Sequence, residues 1–254
     1  MQSENPVTEA LILAGGLGTR LRSVVKDVPK PMAPVHGKPF LSYVLDYWLE
    51  QGIRRFVLSV GYLAHTVQNY FGSSYHGATV DYVHEPEPLG TGGGLALALA
   101  GRGSFTSQRI LLLNGDTFYA ASLPSLYSVA LAHPQAAVTM ALRTIGENTR
   151  YAGVEVGNDG IVSVFGSPAK GRAQINAGCY LLNLSALRTF LDSKPKKFSL
   201  EDDLLPSIAQ QGMMAAQVQN VTFIDIGIPE DYEHFVQDIS NNIIKNTNTH
   251  ALKE

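Results

Sequence analysis

The 254-residue sequence contains a single cysteine, Cys179. One cysteine permits no intramolecular disulfide and no multi-cysteine metal site. Cys179 is therefore expected as a small buried residue in an apolar strand rather than as a catalytic thiol. Positive charge is not in excess: 19 Lys and Arg stand against 22 Asp and Glu, a formal net charge of −3. This excludes the basic footprint of a nucleic-acid binder, and an anionic ligand must be attracted by local groups. No apolar run reaches the length of a membrane span. The polar opening MQSENPVTEA lacks the charged-then-apolar shape of a signal peptide. Neither nucleic acid nor membrane is an expected partner, and the expected compartment is the cytoplasm. The seven histidines show no metal-ligand spacing, which argues against zinc. No Gly-x-Ser-x-Gly elbow and no internal repeat is present.

What is present is an ordinary globular composition, 45% apolar and 16% charged, with enough chain for a sizeable core. Strand-like runs at Ala10 to Leu13, Phe56 to Val60, Thr79 to Val83 and Ile110 to Leu113 alternate with helical patterns. The helices are Phe40 to Gln51, Tyr62 to Phe71 and Leu95 to Ala100. This alternation predicts βαβ units and a largely parallel sheet. The second half is less regular. A hairpin is expected around Asn158-Asp159-Gly160, then a strand at Ile175 to Leu182 and helices at Leu200 to Gln210 and Glu230 to Ile239. The prediction is one α/β domain over residues 1–240, with a Rossmann-like, doubly wound, mostly parallel but mixed sheet. Residues 241–254 form a polar tail expected to fray. In such sheets ligands bind beyond the carboxyl ends of the strands.

The first strand runs into Leu13-Ala14-Gly15-Gly16-Leu17-Gly18-Thr19-Arg20-Leu21. Glycines let backbone N–H groups approach phosphate oxygens, and Arg20 adds a permanently charged fork. A P-loop would need a Gly-Lys-Ser/Thr string, which is missing. A Rossmann fingerprint would need a third glycine where Leu21 stands. Pro29-Lys30-Pro31-Met32 follows. The two prolines are expected to hold the backbone extended and to leave Lys30 little freedom. The string GGLGTRL followed by PKPM resembles the signature of the sugar nucleotidyltransferases. The resemblance covers about residues 9 to 240.

That resemblance implies the nucleotidyltransferase form of the fold, with residues 9–145 serving the nucleotide and 146–240 the sugar. It implies that the loop Leu13, Ala14, Gly15, Gly16, Gly18 and Thr19 wraps a nucleoside triphosphate, with Arg20 and Lys30 on its phosphates. The segment Glu85, Pro88, Leu89, Gly90 and Thr91 would lie along the nucleobase. Asp116 ends a buried strand and Asp225 is flanked by isoleucines, where an unpartnered carboxylate is costly. Both resemble the family's metal aspartates, and Mg²⁺ is the implied cofactor. Without the ion they are expected to repel, so that Asp→Asn would stabilise the metal-free protein. Asn114, Gly115, Tyr151, Gly153, Asn176, Gly178 and Glu201 resemble sugar-binding positions. Many relatives have a Glu-Lys pair after the strand at Val162 to Phe165; this chain lacks it, and the resemblance implies Lys170 as the replacement sugar-phosphate contact.

Lys26 to Pro34, Leu113 to Phe118 and Phe223 to Tyr232 are most similar to D-glycero-α-D-manno-heptose-1-phosphate guanylyltransferases. The implied substrates are GTP and that sugar phosphate, used in GDP-heptose and surface-polysaccharide synthesis. An N-acetylmuramate-1-phosphate uridylyltransferase, or another hexose-1-phosphate enzyme, is the alternative reading. A non-catalytic nucleotide-sugar sensor is a remote one, because Arg20, Lys30 and both aspartates are present. The expected reaction is direct in-line displacement with Arg20, Lys30 and Asp116 as the catalytic set. Nucleobase, exact sugar and any homo-oligomer stay open at this stage.

Overall fold

The computed structural model describes residues 7–16, 21, 25, 28–101, 105–146, 151–168 and 173–240. The chain order is β1 (Glu9–Leu13), β2 (Pro34–Val35), β3 (Lys38–Pro39), α1 (Phe40–Glu50), β4 (Arg55–Val60), α2 (Ala64–Phe71), β5 (Ser74–Tyr75) and β6 (Ala78–His84). Then come α3 (Gly90–Ala100), β7 (Arg109–Asn114), β8 (Thr117–Tyr119), α4 (Leu123–Ala132), β9 (Val138–Ile145), β10 (Ala152–Val156), β11 (Val162–Pro168) and β12 (Ala173–Asn183). The chain continues through α5 (Leu184–Leu191), α6 (Leu205–Gln210), β13 (Met214–Val218), β14 (Phe223–Asp225) and α7 (Pro229–Ser240).

Ten strands form one sheet whose main path is β11-β10-β12-β7-β1-β4-β6-β5, with β9 and β13 joining through β12. The β7-β1-β4-β6 part is parallel. Of these, β1, β4 and β7 are near-continuous apolar runs because both faces of the sheet are covered there, whereas β6 is partly exposed. Ala10 and Ile12 belong to one core with Leu111, Leu113 and helices α1, α4 and α7. Leu11, Ile110 and Leu112 point into a second core with α3, α5 and α6. The expected α/β sheet is thus present as a single mixed, mostly parallel sheet. No helix among the described residues is long and apolar enough to cross a membrane.

Two local features place the functional loops. The first is β12, whose one edge is shared by two partners. Cys179 to Asn183 pair with β7, while Ile175 pairs with Gly153 of β10. The β10–β11 hairpin therefore extends the sheet past the end of β7. The second is the antiparallel β8–β14 ribbon, with Asp225 opposite Thr117. An aromatic cluster holds it in place: the Phe40 and Phe235 rings lie 4.8 Å apart, and Phe118 lies 5.8 Å from Phe235 and 5.7 Å from Tyr47. Edge-to-face aromatic pairs of this kind add to the burial of their area. Packing of α1 against α7 thereby fixes where β14 ends. Cys179 is buried in β12, and burial pushes its thiol well above the ordinary range.

Candidate active site

The chain leaves β1 to build β4 and β6 on one edge, then returns to place β7 on the other. The strand order thus reverses at β1, and such a point is where ligands enter open α/β sheets. Leu13 pairs with Asn114 in register, and Gly115 N–H donates to the Leu13 carbonyl at 2.9 Å. A cleft of about 540 Å³ opens at this point. Leu13, Ala14, Gly15 and Gly16 line it from the first loop, and Glu85, Pro88, Gly90 and Thr91 from the loop after β6. Lys30, Asn114, Asp116 and Asp225 complete the expected set, joined by Pro31, Thr117 and Gly227. Sequence reasoning counted none of these last three among the site residues, although each adjoins a residue it did single out and Pro31 was expected to restrain Lys30. Gly18, Thr19, Arg20 and Lys170 lie outside the described residues.

Glu85 is built into the cleft from two sides. Its N–H continues the β6 ladder to the Val60 carbonyl at 2.8 Å. Its Oε1 accepts the Ser59 hydroxyl at 2.9 Å, and its Oε2 accepts Leu89 N–H at 3.4 Å. A Cβ at position 15 would stand 2.4 Å from Glu85 Oε1 and would push the carboxylate away from the loop. Ser59 was not foreseen. A buried serine inside the apolar strand RFVLSV is the signal that would have found it. Leu89 is buried and does not line the cleft: its carbonyl accepts Phe198 N–H at 3.0 Å.

Lys30 departs from the expected extended backbone. Pro29 is extended, but Lys30–Met32 form a short 3-10 turn, closed by Ala33 N–H donating to the Lys30 carbonyl at 3.1 Å. Proline is tolerated early in a helical turn, because the N–H it lacks would have no partner there. Pro31 and Met32 are buried, so the turn still fixes the backbone from which the lysine projects. Its Nζ lies 2.5 Å from Asp116 Oδ2 and 3.5 Å from Asp225 Oδ1. The two aspartates, 109 positions apart in sequence (225 − 116), are brought together by main chain: Ile226 N–H donates to the Asp116 carbonyl at 3.0 Å. Asp225 Oδ1 also accepts Gly227 N–H at 2.8 Å. The expected bare repulsion between the carboxylates is absent, because an ammonium stands between them. Removing either charge would break an ion pair, so the stabilisation anticipated from Asp→Asn does not follow.

The sugar-side positions divide. Asn114 faces the cleft, and its Oδ1 is buried without a hydrogen-bond partner among the described residues. Gly115 is a backbone crossing point beside Leu13. Gly178, with φ 68°, packs against the Asn114 side chain where any Cβ would clash at 2.6 Å. It lies in an irregularity of β12 between Asn176 and Tyr180. Asn176 is engaged locally: its Oδ1 accepts Gly178 N–H at 3.0 Å and its amide donates to the Tyr180 hydroxyl at 2.7 Å. Tyr151 packs edge-on to Phe223, and Gly153 pairs with Ile175. Glu201 accepts the Thr91 hydroxyl at 2.6 Å. Asn176, Gly178, Tyr151, Gly153 and Glu201 do not line the cleft itself. Among the described residues no group of three or more His, Cys, Asp or Glu is arranged to hold a metal.

The chain is 37% identical over 235 residues to a D-glycero-alpha-D-manno-heptose 1-phosphate guanylyltransferase of Aneurinibacillus thermoaerophilus, covering 92% of this chain and all of that protein. It is 37% identical to the protein of the same name from Campylobacter jejuni, covering 90% of this chain and 98% of the relative. The crystal structure of HddC from Yersinia pseudotuberculosis superposes with a TM-score of 0.79 at 33% identity, over 92% of this chain and 100% of that one. HddC has also been solved in complex with GMP-PN. The nucleotidyl transferase family model matches residues 9–242. By sequence and by fold, the chain belongs to the nucleotidyl transferase family.

Proposed function

We propose that the protein transfers GMP from GTP to D-glycero-α-D-manno-heptose 1-phosphate, giving the GDP-sugar and pyrophosphate. The observation that carries this reading is that the Glu85 carboxylate and the paired aspartates Asp116 and Asp225 line the same cleft. An ionised carboxylate only accepts hydrogen bonds, and guanine offers it two adjacent donors, N1–H and the exocyclic amine. Adenine offers one donor beside an acceptor, and uracil one between two carbonyls. Glu85, fixed by Ser59 against Gly15, suits guanine. The similar proteins named as heptose 1-phosphate guanylyltransferases, and HddC with its GMP-PN, support the same assignment.

The sugar phosphate attacks the α-phosphorus in line. One P–O bond forms as the bond to pyrophosphate breaks. The nucleophile needs no general base, since a phosphate monoester has a second pKa of roughly 6. Lys30 and Arg20 stabilise charge on the phosphates, and Ala14 to Gly16 pack along them. Asn114, whose side chain lines the cleft beside Asp116, is assigned to the sugar hydroxyls. Asp116 and Asp225 would hold a divalent cation, and their geometry fits one: they already converge on a single positive group. Two carboxylates, with no third His, Cys, Asp or Glu grouped with them among the described residues, suit Mg²⁺, which takes its other ligands from phosphates and water. When bound, that ion offsets the repulsion of two anionic reactants and polarises the phosphorus. The working division is residues 9–145 for the nucleotide and 146–240 for the sugar, and the place of action is the cytoplasm.

The base assignment is tested by kcat/KM for the four nucleoside triphosphates in wild type and Glu85→Gln. The variant should lose about 1–3 kcal/mol of its preference for GTP, the scale of one bidentate base contact. An unchanged preference would remove Glu85 from base recognition.

A further inference from the structure

Lys30 stands where the paired aspartates would place a metal ion. Its Nζ is 2.5 Å from Asp116 Oδ2 and 3.5 Å from Asp225 Oδ1, and its side chain is 13% exposed. The aspartates are held by the β8–β14 ribbon, through the pairing of Asp225 with Thr117 and the bond from Ile226 N–H to the Asp116 carbonyl. The lysine comes from a separate turn, Lys30–Met32, and reaches them through a flexible four-carbon stem. The ammonium is therefore the movable member of the three groups.

We propose that Lys30 is the resident counter-ion of this carboxylate pair in the metal-free protein, and that it yields the position when a divalent cation binds. This rests on the reading of Asp116 and Asp225 as cation ligands. An ammonium and a divalent ion repel strongly at such separations, so both cannot occupy the space between the two carboxylates. Two consequences follow. Lys30 keeps the aspartates from repelling one another before substrate arrives, and it weakens their affinity for free cation. Once displaced, its ammonium is available to the phosphates that share the cleft. A triphosphate supplies Lys30 with new anionic partners, so nucleotide and cation favour one another's binding by linkage. Lys30 thus acts on cation loading as a positioning residue, in addition to its contact with phosphates.

The test is Mn²⁺ binding to the whole chain without nucleotide, read from the free-ion signal in electron paramagnetic resonance. Lys30→Met and Lys30→Gln should bind Mn²⁺ at least roughly tenfold more tightly than wild type. In a second measurement, wild type is treated with acetic anhydride and its peptides are analysed by mass spectrometry. Saturating Mn²⁺ should raise acetylation of Lys30 several-fold. Equal or weaker binding by both variants, or labelling of Lys30 that Mn²⁺ does not change, would overturn the exchange while leaving the ligand assignment standing. If Mn²⁺ binds wild type and the Lys30 variants no better than Asp116→Asn, the ligand assignment itself fails, and the exchange with it.

Discussion

At the scale of single residues, charge set among apolar neighbours was the most readable signal. Asp225 stands out because isoleucines flank it, and Lys30 because prolines flank it. Their shared location could not be read, because the bond from Ile226 to Asp116 joins segments about a hundred positions apart. Nor could the sequence show the ammonium between the carboxylates, a contact set by three separate elements. Lys30→Ala should lower kcat by about 10²–10³-fold, equivalent to about 2.7–4 kcal/mol, the scale for removing one preorganised transition-state donor. Lys30→Arg should not rescue it, since a planar fork does not replace a compact ammonium between two carboxylates. Near-normal turnover of Lys30→Ala would reduce the residue to a surface role. Asp225→Asn should abolish turnover and change the thermal midpoint of the metal-free protein little, because a part-exposed ion pair is worth only about 0–1 kcal/mol. A clear rise in that midpoint would restore the repulsion picture.

Elements were legible where local pattern and tertiary packing agree. α1 was expected from Leu41, Val44, Leu45 and Trp48, and all four are buried along it. β1, β4 and β7 were expected as apolar runs and are buried on both faces, while β6 is partly exposed. α3 was expected from Leu95, yet it begins at Gly90. Glycines are poor helix formers, but the N–H groups of Gly92 and Gly93 donate to the Phe198 carbonyl, a partner no local window contains. The helix expected from Leu200 to Gln210 is in fact a π-helical turn, Leu200–Leu204, followed by α6. Thr91 accounts for its position: it donates to Glu201 and accepts Leu200 N–H at 2.8 Å. Phe198 joins these elements, packing its ring over Gly92 with 5% exposure. Phe198→Ala should destabilise the protein by about 3–5 kcal/mol through the cavity it leaves, measured by denaturant unfolding. A loss below about 1 kcal/mol would mean that the segment carrying Phe198 is held without it.

Across the whole molecule, the loops that line the cleft gather at the carboxyl ends of the parallel strands, and a separate polar cluster ties down the amino ends. Glu9, at the start of β1, is buried. It accepts Arg55 at 2.6 Å, Ser107 N–H at 2.7 Å and Thr106 N–H at 2.9 Å. Burial pushes its carboxyl up, but hydrogen bonds from Ser107, Arg55 and Thr106 outweigh it and hold the group below the usual value. A lowered carboxyl contributes stability above its unfolded pKa of about 4.3, and that contribution is lost as pH falls through the folded value. Glu9→Gln should therefore be less stable than wild type at neutral pH, with the gap closing below about pH 4. A gap independent of pH would show that packing, and not charge, is what Glu9 supplies. Sequence reading found the doubly wound half because βαβ order is local. The branch of the sheet through β9, β12 and β13 was not foreseen, because strand pairing across the second half depends on contacts that no short window records.

The central claim is guanylyl transfer to a heptose 1-phosphate, and product formation tests it most directly. Purified protein with Mg²⁺, GTP and D-glycero-α-D-manno-heptose 1-phosphate should release pyrophosphate and form GDP-heptose in equal amounts, identified by mass spectrometry. The rate should exceed that of any other pairing of nucleoside triphosphate and sugar 1-phosphate. Faster turnover of UTP with N-acetylmuramate 1-phosphate, or no product from any pair, would contradict the account.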